Sequence, residues 1–130
     1  MNGLFGVPLS GMATESKRLA VSAQNVANLG SAGARSDRST EGGFTPQRVV
    51  AASGPEGTVR GQTVPKSPPS VLHYDPDDPS ADAEGLVARP NVSLEEETVT
   101  QLQAKQAYKA NVAVIERMDE MVGALLDVKS

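Results

Sequence analysis

Apolar residues recur at alternating intervals of three and four near both ends of this chain, and that spacing limits what it can fold into. From Phe5 through Leu9, Met12, Ser16, Leu19, Ala23 and Val26 the steps are 4, 3, 4, 3, 4 and 3 residues. From Ala104 through Ala107, Asn111, Val114, Met118, Met121, Leu125 and Val128 they are 3, 4, 3, 4, 3, 4 and 3. Such spacing turns one stripe of an α-helix toward a partner helix, in the manner of a and d positions in a heptad.

The two ends differ in strength. At the first, Ser16 and Ala23 are small seam residues, so the helix is weak alone. Glu15, Lys17, Arg18, Gln24 and Asn25 fall between seam positions and suit a solvent side, and Asn28 with Gly30 offers a stop. At the second, Ser93 and Glu96 form an S-x-x-E capping box, and the glutamates at 95, 96 and 97 complement the positive end of a helix dipole. Tyr108, Val112, Ile115, Val122 and Leu126 widen the apolar face. No Gly or Pro stands between Pro90 and Gly123. One helix of roughly 30 residues, ~45 Å long, is expected there.

Between the ends the pattern changes. Gly30–Gly43 has no periodicity and reads as an exposed loop. Phe44–Ala52 and Thr58–Val64 flank the turn-rich Ser53–Gly57, which predicts a hairpin. Beyond Pro65, the runs Ser67-Pro68-Pro69 and Asp75-Pro76-Asp77-Asp78-Pro79 forbid helix and favour an extended strap bending at Gly85. The expectation is an α+β fold. Terminal helices at 1–28 and 93–130 pair as an antiparallel coiled coil, and 29–92 supplies loop, small β region and strap. Val114, Met118, Met121 and Leu125 are expected to be buried against the first helix or a neighbouring subunit, with Asn111 setting register through a hydrogen bond.

Composition sharpens this. The chain has 130 residues, 38% apolar and only 3% aromatic, with no Trp. That is enough for one small domain but leaves little bulky material for a dense core, so paired helices would expose apolar surface unless other subunits covered it. Twelve basic and 16 acidic residues give a net charge of −4 with no basic patch, which argues against nucleic acid or an anionic membrane as partner. Cys is absent, which excludes disulfides, thiolate metal sites and Cys nucleophiles. No window approaches the ~18 apolar residues of a membrane span. Gly3, Gly6, Pro8 and Gly11 interrupt any signal-peptide core, so no cleaved signal is expected.

Catalysis finds no foothold. His73, the single histidine, lies in the Pro-rich stretch without a nucleophile context. The acidic run from Asp75 fails as a calcium loop. Its fifth and sixth positions are Pro79 and Ser80, and its twelfth is Leu86. Gly30-Ser31-Ala32-Gly33 matches neither phosphate-binding fingerprint, and the sequon Asn91-Val92-Ser93 shares its serine with the helix cap. No catalytic, cofactor-binding or metal residue is expected. A small soluble acidic module that binds a cationic ligand or a chaperone is the alternative reading.

Two blocks resemble a known family. Ser10-Gly11-Met12, then Arg18-Leu19-Ala20-Val21, Ala23, Asn25 and Ala27-Asn28, is similar to the signature of the bacterial flagellar rod, hook and hook-associated axial proteins. The run from Tyr74 to Val92, with Pro76, Pro79, Ala81-Asp82-Ala83, Gly85 and Pro90-Asn91-Val92, resembles the proximal-rod, FlgC type within that family. So do Glu97, Ala104, Tyr108 and Ala110-Asn111-Val112. Leu86 stands where an aromatic is usual and Gln106 where Arg is common, departures that set the chain apart from the family pattern.

The resemblance implies a structural subunit without an active site. It implies passage through the flagellar type III export apparatus without a cleaved signal, and assembly with like subunits and other rod proteins into a periplasmic, torque-transmitting helical array. No nucleic acid and no membrane insertion are implied. The assembly interface would then comprise Leu9, Met12, Leu19 and Val26 of the first helix with Tyr108, Asn111, Val114, Met118, Met121 and Leu125 of the last.

Overall fold

The computed structural model describes residues 2–31 and 44–129. Most of the expected Gly30–Gly43 loop therefore lies outside the described residues. Helix α1 (Asn2–Ala27) runs through Pro8, whose missing N–H removes one bond to the preceding turn. Strands β1 (Gln47–Ser53) and β2 (Val59–Pro65) form the expected hairpin, antiparallel from Gln47 opposite Pro65 to Ser53 opposite Val59. A single helical turn at Pro55–Gly57 joins them.

The strap is more regular than the sequence suggests. Strands β3 (Ser70–Tyr74) and β4 (Leu86–Pro90) form a second antiparallel hairpin, with Ser70 opposite Pro90 and Tyr74 opposite Leu86. The prolines fall outside the ladder or at its end: Pro68 and Pro69 precede β3, Pro76 and Pro79 lie in the connection, and Pro90 is the last residue of β4. The connection is tied by Asp82, whose Oδ1 accepts from the N–H groups of Glu84 (3.0 Å) and Leu86 (2.8 Å). Gly85 turns the chain with φ of +75°, a conformation that costs an L side chain.

Helix α2 (Leu94–Val128) starts at the predicted cap, with Ser93 Oγ accepting from Glu96 N–H at 3.3 Å. The reciprocal half of the box is replaced. The Ser93 hydroxyl donates to Glu95 Oε2 (2.9 Å), and Glu96 turns toward Lys66 at 3.6 Å. The helices run antiparallel. Gly11 abuts Asn111, Ser22 meets Gln101, and Asn25 meets Glu97.

On α1 the stripe that holds the pair is polar instead of the apolar seam, whereas α2 contributes its seam residue Ala104. Thr14, Ser22, Asn25, Glu97 and Ala104 are buried, whereas Leu9 of the seam is 53% exposed and Leu19 is also exposed. Asn25, Arg18 and Glu15 thus leave the solvent side the spacing gave them. Asn25 is 1% exposed and the other two are partly buried. The first hairpin packs along α1, and the second stands off both helices, enclosing Val87. Among the described residues no helix is long and apolar enough to cross a membrane.

Candidate assembly surface

One polar cluster closes the fold. Asn25 Nδ2 donates to the Gln47 carbonyl (2.7 Å) and to Glu97 Oε1 (2.9 Å), while its Oδ1 accepts from Gln47 N–H (3.0 Å). A single amide thereby clamps the end of α1, the first residue of β1 and the first turn of α2. Lys66 Nζ, just after β2, reaches the same Glu97 Oε1 at 2.9 Å. The Ser22 hydroxyl donates to the Glu97 carbonyl and accepts from Gln101 Nε2, both at 3.2 Å. Burial pushes the Glu97 carboxyl upward, but bonds from Ser22, Lys66 and Asn25, with the Lys66 charge, outweigh it and hold the group below its usual value. Further along, Arg18 Nη1 donates to the Val49 carbonyl (2.9 Å), Lys17 to that of Gly61 (3.0 Å), and Val59 N–H to Ser10 Oγ (3.0 Å).

Because polar groups fasten α1 from within, the apolar seam is released to the outside. A groove of about 650 Å³ opens between the helices, walled by Ser16 and Leu19 on one side and by Ala104, Tyr108 and Val112 on the other. Further along α2, Ala113, Val114, Met118 and Met121 line a second, shallower apolar depression. Nine residues separate Gly11 from the start of α1, so the antiparallel partner runs out near Glu120. Met121, Leu125, Leu126 and Val128 lie beyond that point, all exposed, Leu125 at 66%.

The proposed interface residues fall accordingly. Leu19 and Tyr108 share the groove, Val114, Met118 and Met121 share the depression, and Leu125 lies on the projecting end. Leu9 is exposed, and Met12 and Val26 are half-buried. Val114 is 43% exposed and Met121 and Leu125 more so, so these three are not buried against the first helix. Asn111 does not reach across the helix pair with a hydrogen bond. Its Nδ2 donates to Ala107 O of its own helix (2.9 Å), and its contact with α1 is steric, against the bare Cα of Gly11.

The acidic run is occupied with its own chain. Arg89 Nη2 bonds Asp75 Oδ2 at 2.9 Å and lies 3.9 Å from Asp78 Oδ2, and Asp78 Oδ1 accepts from Ser80 N–H at 2.8 Å. His73 is exposed on β3. No group of three His, Cys, Asp or Glu side chains among the described residues is placed to hold a metal. The cluster around Glu97 escaped the spacing argument. Its only local trace is the shared face of Thr14, Arg18, Ser22 and Asn25, four polar positions at helical intervals.

Comparison with known proteins identifies the family. The family model for the C-terminal region of the flagellar basal body rod proteins FlgE, FlgF and FlgG matches residues 83–128, which take in the turn before β4, β4 itself and the whole of α2. The flagellar basal-body rod protein FlgC of Salmonella typhimurium is 32% identical over 121 residues, covering 92% of this chain and 90% of that protein. The FlgC of Yersinia enterocolitica is 35% identical over 114 residues, covering 86% and 85%. That of Agrobacterium fabrum is 30% identical over 134 aligned positions, covering 92% and 88%. Likeness of this extent runs through both helices and both hairpins, and with it the chain belongs to the FlgC family of flagellar basal-body rod proteins.

Proposed function

We propose that this rod protein is a proximal-rod building block that assembles with like subunits and other rod proteins into a helical array and transmits motor torque. The observation that carries the reading is the division of labour on the helices. Small and polar residues (Thr14, Ser22, Asn25, Glu97) do the internal fastening, while Leu9, Leu19, Val114, Met121 and Leu125 face outward. A lone chain gains nothing from that arrangement, whereas a tube of subunits buries each exposed side chain for about 1.5–3 kcal/mol. Rigidity would then come from the repeated contacts between neighbours, and no side chain is assigned a catalytic part. Delivery is by the flagellar type III export apparatus without a cleaved signal, to a position in the periplasmic part of the basal body. The absence of Cys suits travel as an unfolded chain into an oxidising space.

Val114→Asp tests this directly. Because Val114 is already 43% exposed in the single chain, the substitution should leave the fold, synthesis and export intact. It should nonetheless stop rod assembly and motility, since a carboxylate buried unpaired at an interface costs several kcal/mol. Glu116→Asp on the same helix should swim normally. Normal rods and swimming in Val114→Asp cells would refute the assembly role of α2.

A further inference from the structure

Each two-stranded sheet has two outer edges, and the chain treats them differently. In an antiparallel pair, successive residues alternate between bonding the partner strand and turning their N–H and C=O outward. In the first hairpin the bonds from Gly54 N–H to Thr58 O (2.8 Å) and from Lys66 N–H to Pro46 O (2.9 Å) fix that alternation. Gln47, Val49, Val59 and Gly61 therefore face outward, and α1 covers them on both edges. Asn25 takes both groups of Gln47, Arg18 the Val49 carbonyl, Ser10 the Val59 N–H and Lys17 the Gly61 carbonyl. In the second hairpin the bonds from Asp75 N–H to Gly85 O (2.9 Å) and from Asn91 N–H to Pro69 O (3.0 Å) turn the even-numbered residues outward. On β4, Leu86 N–H donates to Asp82 Oδ1 (2.8 Å) and its carbonyl accepts from Asp82 N–H (3.0 Å). Pro90 has no N–H, and its carbonyl accepts from Val92 N–H (2.8 Å).

Strand β3 has no such cover. Among the described residues, no hydrogen bond reaches the outward groups of Ser70, Leu72 and Tyr74. Leu72 is 52% exposed and Tyr74 74%. The strand holds no Lys, Pro or acidic residue, and its one-to-one register leaves no bulge, so it lacks the features that keep an edge from pairing.

We propose that the outer edge of β3 accepts an extended segment of another protein as a third strand. A row of donors and acceptors two residues apart is matched by extended backbone. Leu72 and Tyr74 share one face, which favours apolar side chains at alternate positions of the incoming strand. Asp77, just beyond β3, is exposed and outside any ion pair among the described residues, which favours Lys or Arg at that end. Two β3 edges pairing with each other would close a two-fold dimer, which an open helical array does not contain. The choice of a foreign strand over a second copy rests on the assembly reading above.

The probe is a short synthetic peptide of alternating valine and threonine that ends in two lysines. Added to the purified chain, it should slow hydrogen exchange at the Leu72 and Tyr74 amides about tenfold and leave the amides of α1 and α2 unchanged. Leu72→Pro removes an outward N–H without touching the ladder to β4, and it should abolish the protection of Tyr74. Leu72→Lys keeps the backbone whole and should weaken that protection through its charge on the edge. Unchanged exchange at both amides in the parent, or undiminished protection of Tyr74 in both variants, overturns the proposal. So does protection that appears without peptide and grows with chain concentration, the mark of a dimer of β3 edges. Val114→Asp should bind the probe like the parent, so loss of the assembly role of α2 and loss of the β3 site are read separately.

Discussion

Asn25→Ala tests whether a single amide closes this fold. The substitution removes two bonds to the backbone of Gln47, at 2.7 and 3.0 Å, and one to the Glu97 carboxylate at 2.9 Å, from a side chain 1% exposed to solvent. Neutral bonds contribute about 1 kcal/mol each and a bond to a charged partner about 1.5–3. Water entering the vacated space recovers part of the total, which leaves a loss of about 3 kcal/mol. For a domain of this size, that lowers Tm by roughly 12 °C. Asn28 provides the internal control, because among the described residues its side chain bonds only to the Gln24 carbonyl of its own helix (2.9 Å). Asn28→Ala should stay within about 0.5 kcal/mol of the parent. Urea unfolding followed by circular dichroism at the helical band measures both. If Asn25→Ala unfolds at the parental midpoint, the cluster is decoration and the account of how α1 is held is wrong.

Acid should weaken the same cluster. The depressed Glu97 carboxyl contributes stability that is fully present above its ordinary value of 4.5 and is lost as pH falls through the lower folded value, so Glu97→Gln should flatten the stability profile below pH 4.5. An unchanged slope there would remove Glu97 from the acid response. Gly11→Ala would place a Cβ 2.8 Å from both terminal atoms of the Asn111 amide, which is pinned to Ala107. Its cost should be recovered in the Gly11→Ala/Asn111→Ala double variant, with a coupling of about 1 kcal/mol, and simple additivity would show that the two do not set the register of the helices. Gly85→Ala should cost about 1–2 kcal/mol at its positive φ. Hydrogen exchange should show that loss in β3 and β4 alone, because the second hairpin barely touches the helices, and loss spreading into α2 would contradict that independence.

Legibility in the sequence followed how local each signal was. The long last helix, its Ser93 cap and the first hairpin were readable because spacing, capping and turn chemistry are written in consecutive residues. The second hairpin was hidden because Pro68-Pro69 and Pro76 bracket the five residues of β3 so closely that the whole stretch reads as irregular. The heptad spacing located an apolar stripe on α1 correctly and assigned its direction incorrectly. Periodicity says that Leu9 and Leu19 share a face and is silent about what faces them. Spacing puts Asn25 on the solvent side and gives Ser22 no role, because their partners, Gln47, Glu97 and Gln101, are remote in sequence and leave no local mark. Exposed apolar seam residues were legible for a complementary reason: there is too little bulky material for a core that would cover them.

The distance along the chain between the Glu97 cluster's partners also bears on timing. Asn25 waits 72 residues for the Glu97 side chain, Ser22 waits 75 for its carbonyl and 79 for Gln101. A polypeptide that emerges amino end first cannot complete these bonds until the beginning of α2 has appeared. Until then α1 has only the first hairpin, through Gln47, Val49 and Gly61, to cover part of its polar stripe. Closing a loop of that length also precedes any reward from the contacts it makes, which slows the final step. The cluster that closes the finished fold is therefore also what delays its closure, because α1 cannot be clamped until the final helix begins at Leu94.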